Sequence, residues 1–347
     1  MSDADVGRLF ARMRWGSETE QCCPNCGVMQ AHYRREKRKQ WRCAKCGCDF
    51  SVTSKTPFHK HKLPLREILE IIMHFESGAK GRSLLEVSRL VGCWPKTVQG
   101  IFGKLREALV KTMDLTPLQG TVHMDGAYFC GKPRKPNRRM KMPKDALKVR
   151  FGKKAPTHPD KPWIDAGMTK KNWEKRRNKR VVISLCESGN IKEGARRVIA
   201  LVCRAENENH VTRIARKFIK PRAIIMTDEC SAYNSLGASF EHYAVNHSRE
   251  FCTAEGVSDN MSETFNSRMR RSEYGTVHGY RPKYLQDYVC EHVWRENSRK
   301  VSQRDRLFDL LGKLLHSPIS EWWKGYWQGH HRKDEIGVDY FLSRLTT

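Results

Sequence analysis

Two closely spaced cysteine pairs near the N-terminus constrain the fold more than any other feature of the sequence. Cys23 and Cys26 form one C-x-x-C pair, Cys43 and Cys46 form another, and 16 residues separate the pairs. Each pair can form a knuckle that presents two thiolates to one tetrahedral Zn²⁺, which is typical of a zinc ribbon. Because four protein ligands leave no open coordination position, the sequence predicts a structural zinc.

The surrounding residues support this interpretation and leave one alternative open. Gly27 and Gly47 follow the second cysteine of each pair, where a knuckle needs a permissive backbone. Cys22 and Cys48 flank the pattern and could substitute as ligands. The alternative is a set of free thiols in an unrelated fold. The odd total of 13 cysteines argues against a disulfide framework and favours a reducing compartment.

The charge balance of the sequence gives information about binding partners and not about the fold. The 347-residue chain carries 65 Lys and Arg against 38 Asp and Glu, a net charge of +27. This excess favours nucleic acid as the partner, although a ribosome-associated or membrane-surface protein would look similar. No apolar run approaches the ~20 residues of a membrane span, and the N-terminus lacks a signal-peptide pattern. We therefore expect a cytoplasmic protein with no membrane partner.

Helical periodicity follows the cysteine pairs. Apolar residues recur at helical spacing over 65–75 and 84–90, then a turn around Gly92 leads to a further helix that opens near Pro95. This order predicts a helix-turn-helix that offers Lys96, Thr97 and Gln99 to a DNA groove. A plain helical hairpin has the same periodicity and stays the alternative.

The next region has an α/β order. Strands are predicted over 121–131, 179–188, 196–205 and 222–227, followed by helix from Asp259 to about Asn297. A basic insert, residues 131–180, separates the first two strands and holds 19 Lys and Arg against four Asp and Glu. It has the composition of a solvated disordered loop, and such a loop could become ordered on a phosphate backbone.

Three acidic residues stand out in this region. Asp125 lies inside an apolar strand, where an ionised carboxylate is costly unless a cation compensates it. Asp228 ends another apolar strand, where α/β folds place ligand-binding groups. Glu263 follows with 34 residues in between, on a helix whose stripe of Met261, Phe265 and Met269 predicts core packing. Asn260, Glu263, Ser267 and Arg270 share a different face of that helix.

Each acid has an ordinary interpretation when taken alone. Asp228 could cap a turn, and Glu263 could be a solvated helix residue. Together, three carboxyl groups from two strands and a helix could hold two Mg²⁺ or Mn²⁺ ions about 4 Å apart and catalyse phosphoryl displacement.

The sequence resembles the insertion-sequence DDE transposases of the ISXO2-like type over nearly the whole chain, from about Cys23 to Asn297. The resemblance rests on the acids, the cysteine pairs and further motifs: VNHSREF (245–251), the Asn-x-x-Glu-x-Phe of NMSETF, the pair Arg270-Arg271, YGTVH (274–278) and the Trp-Arg-x-Asn of WREN (294–297).

The resemblance implies an RNase H-like mixed-sheet catalytic domain, preceded by a zinc ribbon and a helix-turn-helix domain. It implies the metal-binding triad Asp125, Asp228 and Glu263, with Asn260 as a rival third member. Arg270 or Arg271 would contact the terminal phosphate, and His247 and His278 would lie near the site. The expected division is an N-terminal segment (1–18), the zinc ribbon (19–58), the helix-turn-helix (62–115), the catalytic domain (118–300, with the insert 131–180) and a C-terminal helical tail (301–347).

Two positions depart from the family pattern. Gly126 follows Asp125 where relatives often have a second acid, and Ser258 stands where many relatives have His. The basic insert is also long.

The resemblance implies a bacterial, nucleoid-associated transposase that acts on double-stranded DNA, both its inverted-repeat ends and its target, as a homodimer or higher oligomer. Three other functions remain open: a catalytically silent DNA-binding regulator, an RNase H-like nuclease or junction resolvase, and a basic zinc-ribbon protein of the ribosome or transcription apparatus.

Overall fold

Short antiparallel strands build the N-terminal ribbon in the computed structural model, which describes residues 1–131, 163, 169–189, 194–245 and 260–344. Helix α1 (Asp3–Trp15) precedes the ribbon; Ser2 caps its first turn, and Gly16 ends it in the left-handed conformation. The ribbon pairs β1 (Gln21–Cys22) with β2 (Met29–Gln30) and joins β3 (Tyr33–Arg35), β4 (Gln40–Arg42) and β5 (Asp49–Phe50) in a second sheet.

Three helices follow the ribbon, as the periodicity predicts: α2 (Leu65–Ser77), α3 (Leu84–Val91) and α4 (Pro95–Lys111). Gly92 ends α3 at a φ of 74°, a left-handed conformation that favours glycine. Pro95 opens α4, where its missing N–H has no helical partner to lose. Gly92 and Pro95 therefore mark the end of α3 and the start of α4, which a short turn joins.

A five-stranded mixed sheet forms the centre of the remaining chain. Its strands are β6 (Thr121–Phe129), β7 (Arg180–Ser188), β8 (Ala195–Cys203), β9 (Ile224–Asp228) and β10 (Glu241–Val245), in the order β10-β9-β6-β7-β8. Strands β6, β7 and β8 are antiparallel, whereas β9 runs parallel to β6 and β10 runs parallel to β9. The predicted mixed α/β class is confirmed, and β10 is an additional strand that the sequence did not signal.

Helices cover both faces of this sheet. Alternate residues of β6 enter different cores, because side chains alternate across a strand. Val122 and Met124 pack with α6 (Glu208–Phe218), while Ala127 and Phe129 pack with α7 (Asn260–Ser272) and α8 (Pro282–Asn297). The predicted stripe on α7 is confirmed as core packing, since Phe265 and Met269 are buried there and Met261 lies against them in part.

The remaining helices are α5 (Lys170–Asn178), α9 (Gln303–His316) and α10 (Val338–Ser343). Helix α9 buries Leu311 and Leu314 in the same core as Phe10 of α1 and Phe102 of α4, and this core continues to the sheet at Val122. Across the described ranges, no helix is long and apolar enough to cross a membrane.

Candidate active site and zinc site

The four predicted cysteines converge in the ribbon. The sulfurs of Cys23, Cys26, Cys43 and Cys46 all lie within 4.8 Å of one another, with Cys23 Sγ 3.7 Å from Cys46 Sγ and Cys26 Sγ 3.6 Å from Cys43 Sγ. Four thiolates at this spacing suit a tetrahedral zinc. Cys22 and Cys48 instead direct their sulfurs to the Gly27 and Asp49 carbonyl oxygens. The flanking cysteines therefore do not replace the predicted ligands.

Each cysteine pair forms the same knuckle. The Gly27 amide donates to the Cys23 carbonyl at 2.8 Å, and the Gly47 amide donates to the Cys43 carbonyl at 3.0 Å. Both glycines have positive φ, 73° and 69°, so a side chain at either position would be strained. Hydrogen bonds from the Cys48 and Asn25 amides lower the pKa of Cys46 to about 6, which favours the thiolate that zinc binds.

The two aspartates occupy neighbouring strands. Strand β6 pairs in parallel with β9 from Thr121–Ile224 to His123–Met226, and Asp125 and Asp228 each lie two residues past this last pair. Side chains alternate between the two faces of a strand. Val122 and Ile225 face the core that contains α6, so Asp125 and Asp228, three positions further along their strands, face α7. Adjacent strands are about 4.8 Å apart. The sheet therefore brings these two partly exposed carboxylates close together at one place, the acidic edge.

Asp228 also has the ordinary role that the sequence left open. Its Oδ1 accepts the Cys230 amide at 3.1 Å, at the start of the 3₁₀-helical segment Ser231–Ala238. This bond uses one of the two carboxylate oxygens and orients the side chain. A capping role and a place at the acidic edge are thus compatible.

Helix α7 lies against this edge. Ser262 Oγ donates to the His123 carbonyl at 2.7 Å, and Asn266 Nδ2 donates to Asp125 Oδ2 at 2.8 Å. Glu263 is exposed on the same helix, one turn before Asn266. Asn260 is exposed at the first residue of the helix. Asn266, which the sequence motifs did not single out, therefore contacts Asp125.

A further acid, also missed at the sequence level, lies beside Asp125. Glu206, two residues before α6, accepts a hydrogen bond from the buried Tyr233 hydroxyl at 2.7 Å. A Cβ added at Gly126 would lie 2.1 Å from Glu206 Oε1, so this carboxylate occupies the space of a side chain at position 126. Burial raises the pKa of Glu206, and the charges of Asp125 and Asp228 raise it further.

Oxygen donors of this kind suit hard divalent cations. Asn266 Oδ1 is buried and has no hydrogen-bond partner among the described residues, so it marks a place where a further ligand is missing beside Asp125. Within that same part of the chain, only the four cysteines form a set whose ligand atoms lie within 4.8 Å of one another. The carboxylates have the chemistry for a divalent site and are more widely spaced than the thiolates.

The predicted DNA-reading residues begin helix α4. Lys96 is exposed, whereas Thr97 and Gln99 are half-buried. The Lys96 carbonyl accepts the Trp327 indole N–H at 3.1 Å, and the Lys96 ammonium lies 4.9 Å from the Trp327 ring centroid. The C-terminal segment thus packs beside the start of this helix and holds Lys96 in part.

Arg270 and Arg271 are both exposed near the end of α7. Beyond them, the YGTVH motif forms a π-helical turn (Glu273–Val277) that leaves Tyr274 70% exposed, and His278 follows with a φ of 57°. The turn borders a groove of about 1340 Å³. Its charged and aromatic lining includes Tyr128, Lys175, Lys179, Tyr274, Arg281 and Lys283.

The WREN motif has a structural place. Arg295 donates to the Phe75 and Glu76 carbonyls at the end of α2, and Asn297 bonds both the amide and the carbonyl of Val198 on β8. These contacts connect helix α8 both to α2 and to strand β8 of the sheet. Most of VNHSREF, His247, Ser258 and most of the basic insert lie outside the described residues.

Two family models match the chain. The model of the ISXO2-like transposase domain matches residues 117–297, just over half of the sequence. The chain belongs to the ISXO2-like transposases. The model of the transposase zinc-ribbon domain matches residues 1–48, which contain all four clustered cysteines of this transposase. No curated protein and no solved structure matches it significantly.

The family assignment confirms the resemblance seen in the sequence. The matched transposase domain contains Asp125, Asp228 and Glu263, whereas helices α2 to α4 lie between the two matched regions. Both matched domains are those of a transposase, which indicates that DNA is the partner of this ISXO2-like chain.

Proposed function

We propose that this chain is the DDE transposase of an insertion sequence. It binds the terminal inverted repeats of its element, cleaves at their 3′ ends and joins these ends to target DNA, with divalent metal ions as cofactors. The observation that supports this proposal is the parallel pairing of β6 and β9, since Asp125 and Asp228 each follow its last pair by two residues and Asn266 of α7 contacts Asp125. The family assignment supports the reaction class.

Asp125, Asp228 and Glu263 would hold the metal, with Asn260 as the rival third ligand. When bound, two such ions activate the attacking oxygen and stabilise the leaving oxygen of a phosphoryl displacement. The chain itself orients Asp125 through the Asn266 amide and Asp228 through the Cys230 amide. The exposed Glu263 is free to turn toward the acidic edge, because its side chain is not packed in the core.

DNA would be held by three positively charged regions. Lys96, Thr97 and Gln99 on α4 would read the repeat ends. Arg270 and Arg271 would bind phosphate near the cleaved bond, since both are exposed on the helix that carries Glu263. The basic insert would add sequence-independent affinity. Two ends must meet during the reaction, so at least a homodimer is expected on DNA.

The decisive experiment is strand transfer on labelled DNA that carries the ends flanking this gene, with Mg²⁺ or Mn²⁺. Wild type is compared with Asp125→Asn, Asp228→Asn and Glu263→Gln, and with Glu208→Gln as a control of equal charge change on the exposed start of α6. We expect joining to be abolished in the first three variants, with DNA binding retained, and to be unchanged in the control.

The other outcomes separate the alternatives. If Glu263→Gln joins like wild type and Asn260→Ala does not, Asn260 is the third residue. If wild type binds the ends and never joins them, the regulator is the better description. If wild type cuts DNA without those ends, the chain is a nuclease and not a transposase.

A further inference from the structure

Glu206 approaches the acidic edge from the opposite face of strand β6. Its carboxylate lies over Gly126, with Oε1 2.1 Å and Cδ 2.4 Å from the position of an added Cβ. The Cβ of residue 126 and the side chain of Asp125 point to opposite faces of the sheet. Glycine is therefore required at 126 for Glu206 to come this close to the strand.

The sheet is open at this place. Strand β6 pairs with β9 only as far as His123–Met226, whereas its pairing with β7 continues to Phe129–Arg180. Beyond His123–Met226 no further β6–β9 pairing is present in the described residues, so groups from both faces can meet there. Tyr233, five residues after Asp228, holds the Glu206 carboxylate on this side through its hydroxyl.

The charge of Glu206 has no cationic partner within the part of the chain that the structure describes. A half-buried carboxylate near two others is unfavourable unless a cation compensates it. A separate observation indicates a missing ligand here, because the buried Asn266 Oδ1, beside Asp125, also lacks a partner among the described residues.

We propose that Glu206 is a fourth carboxylate of the divalent-metal site and that Gly126 makes room for it. This inference rests on the proposed transposase function. It assigns to this chain an acidic group that lies outside the predicted triad. The negative charge of Glu206 increases the affinity of the site for divalent ions, while Tyr233 holds the carboxylate in place.

The test is Mn²⁺ binding to the full-length, zinc-loaded protein, measured by electron paramagnetic resonance without DNA. Glu206→Gln keeps the shape and the oxygen that accepts the Tyr233 hydroxyl, and removes the charge. We expect its Mn²⁺ affinity to fall about 10-fold to 100-fold, with no fall in the melting temperature measured without Mn²⁺. Glu208→Gln, two residues along the chain and exposed, should bind Mn²⁺ like wild type.

A steric variant tests the geometry separately. In Gly126→Ala the new methyl group must displace the Glu206 carboxylate, so Mn²⁺ affinity should fall as it does in Glu206→Gln. In the Glu206→Gln background the same substitution should lower the affinity little further, because the group it displaces has already been neutralised. Fully additive effects would contradict the shared position.

The failure of this inference is distinct from the failure of the proposed function. If wild type binds Mn²⁺, Asp125→Asn does not, and Glu206→Gln binds like wild type, then the site exists and Glu206 is not part of it. If Glu206→Gln lowers the melting temperature without changing Mn²⁺ affinity, Glu206 is a structural residue only. If wild type binds no Mn²⁺, both this inference and the proposed metal site are wrong.

Discussion

At the residue scale, two amide donors contact the acids of the sheet edge. Asp125 accepts the Asn266 amide, and Asp228 accepts the Cys230 backbone amide. Both donors are uncharged, so these two hydrogen bonds orient the carboxylates without neutralising them. An arginine in either place would orient the acid and also compete with the metal.

Asn266→Ala tests this orienting role. The substitution removes the amide that donates to Asp125 Oδ2, so we expect strand transfer to fall about 10-fold to 100-fold. It should be measured under single turnover, with Ser267→Ala, at the next position on α7, as the control. DNA binding should not change. Equal joining rates in both variants would mean that Asp125 does not need the amide.

Glu291 is a buried acid that pairs with two arginines. Its carboxylate lies 2.6 Å from Arg106 and 2.8 Å from Arg295, with all three side chains buried. Burial raises the pKa of Glu291, but the two guanidinium groups outweigh it and hold the pKa at about 2. This acid therefore stabilises the fold in its ionised form.

Glu291→Gln should lower the free energy of unfolding by about 3–5 kcal/mol, because two buried guanidinium groups lose their partner. The wild-type contribution is fully present above the unfolded pKa of about 4.3 and disappears as the pH falls toward 2. Urea titrations between pH 7 and pH 2.5 should show the two proteins converging at the acid end. The exposed Glu86→Gln serves as the control.

At the element scale, we expect the ribbon to depend on zinc more than on its core. Its strands are two or three residues long, and its own buried cluster is small, consisting of Cys23, Cys43 and Phe50. Such short strands do not persist without a cross-link. By contrast, helix α8 is held by buried contacts on both sides, to α2 and to β8.

Cys43→Ser should abolish stoichiometric zinc and unfold the ribbon, while the sheet stays folded. Zinc content, together with hydrogen exchange of residues 21–50 and of β6–β8, measures both effects. Cys48→Ser changes a sulfur outside the cluster and should keep its zinc. Zinc retained in Cys43→Ser would contradict the ligand assignment.

At the scale of the whole molecule, one core joins the N-terminal helices α1, α2 and α4 to the sheet. Buried residues run without interruption from Phe10 through Ile72 and Phe102 to Val122 and Ile225. Arg295 and Asn297 add polar contacts in the same direction. A rigid connection of this kind would set the distance between helix α4 and the acidic edge.

The net charge of +27 is also a property of the whole molecule, and about half of it comes from the insert. Replacing three insert lysines by glutamine should lower DNA affinity and flatten the dependence of log K on log salt, by about 0.9 for each phosphate that the protein no longer neutralises. The variants are Lys141→Gln, Lys144→Gln and Lys148→Gln. The control replaces three cations on and just after α6, Arg213, Arg216 and Lys220, by glutamine. An equal effect on DNA affinity there would mean that the insert has no special role.

Local sequence determined a large part of this protein. The cysteine spacing predicted the four-cysteine cluster, Gly92 and Pro95 marked the end of α3 and the start of α4, and the α7 stripe predicted the buried face. Short-range backbone geometry and side-chain periodicity depend on residues that are close together in the sequence, so such features can be recognised without a structure.

Only the tertiary structure showed which distant groups meet. Nothing near Asn266 in the sequence shows that it bonds Asp125, and nothing near Glu206 shows that it fills the space over Gly126. The parallel register of β6 and β9 decides that Asp125 and Asp228 share one edge. Strand order and helix placement result from the packing of the whole core, and that packing depends on residues far apart in the chain. The sequence thus determined the four-cysteine site and the presence of acidic residues in the α/β region. The tertiary structure determined which side chains lie next to those acids.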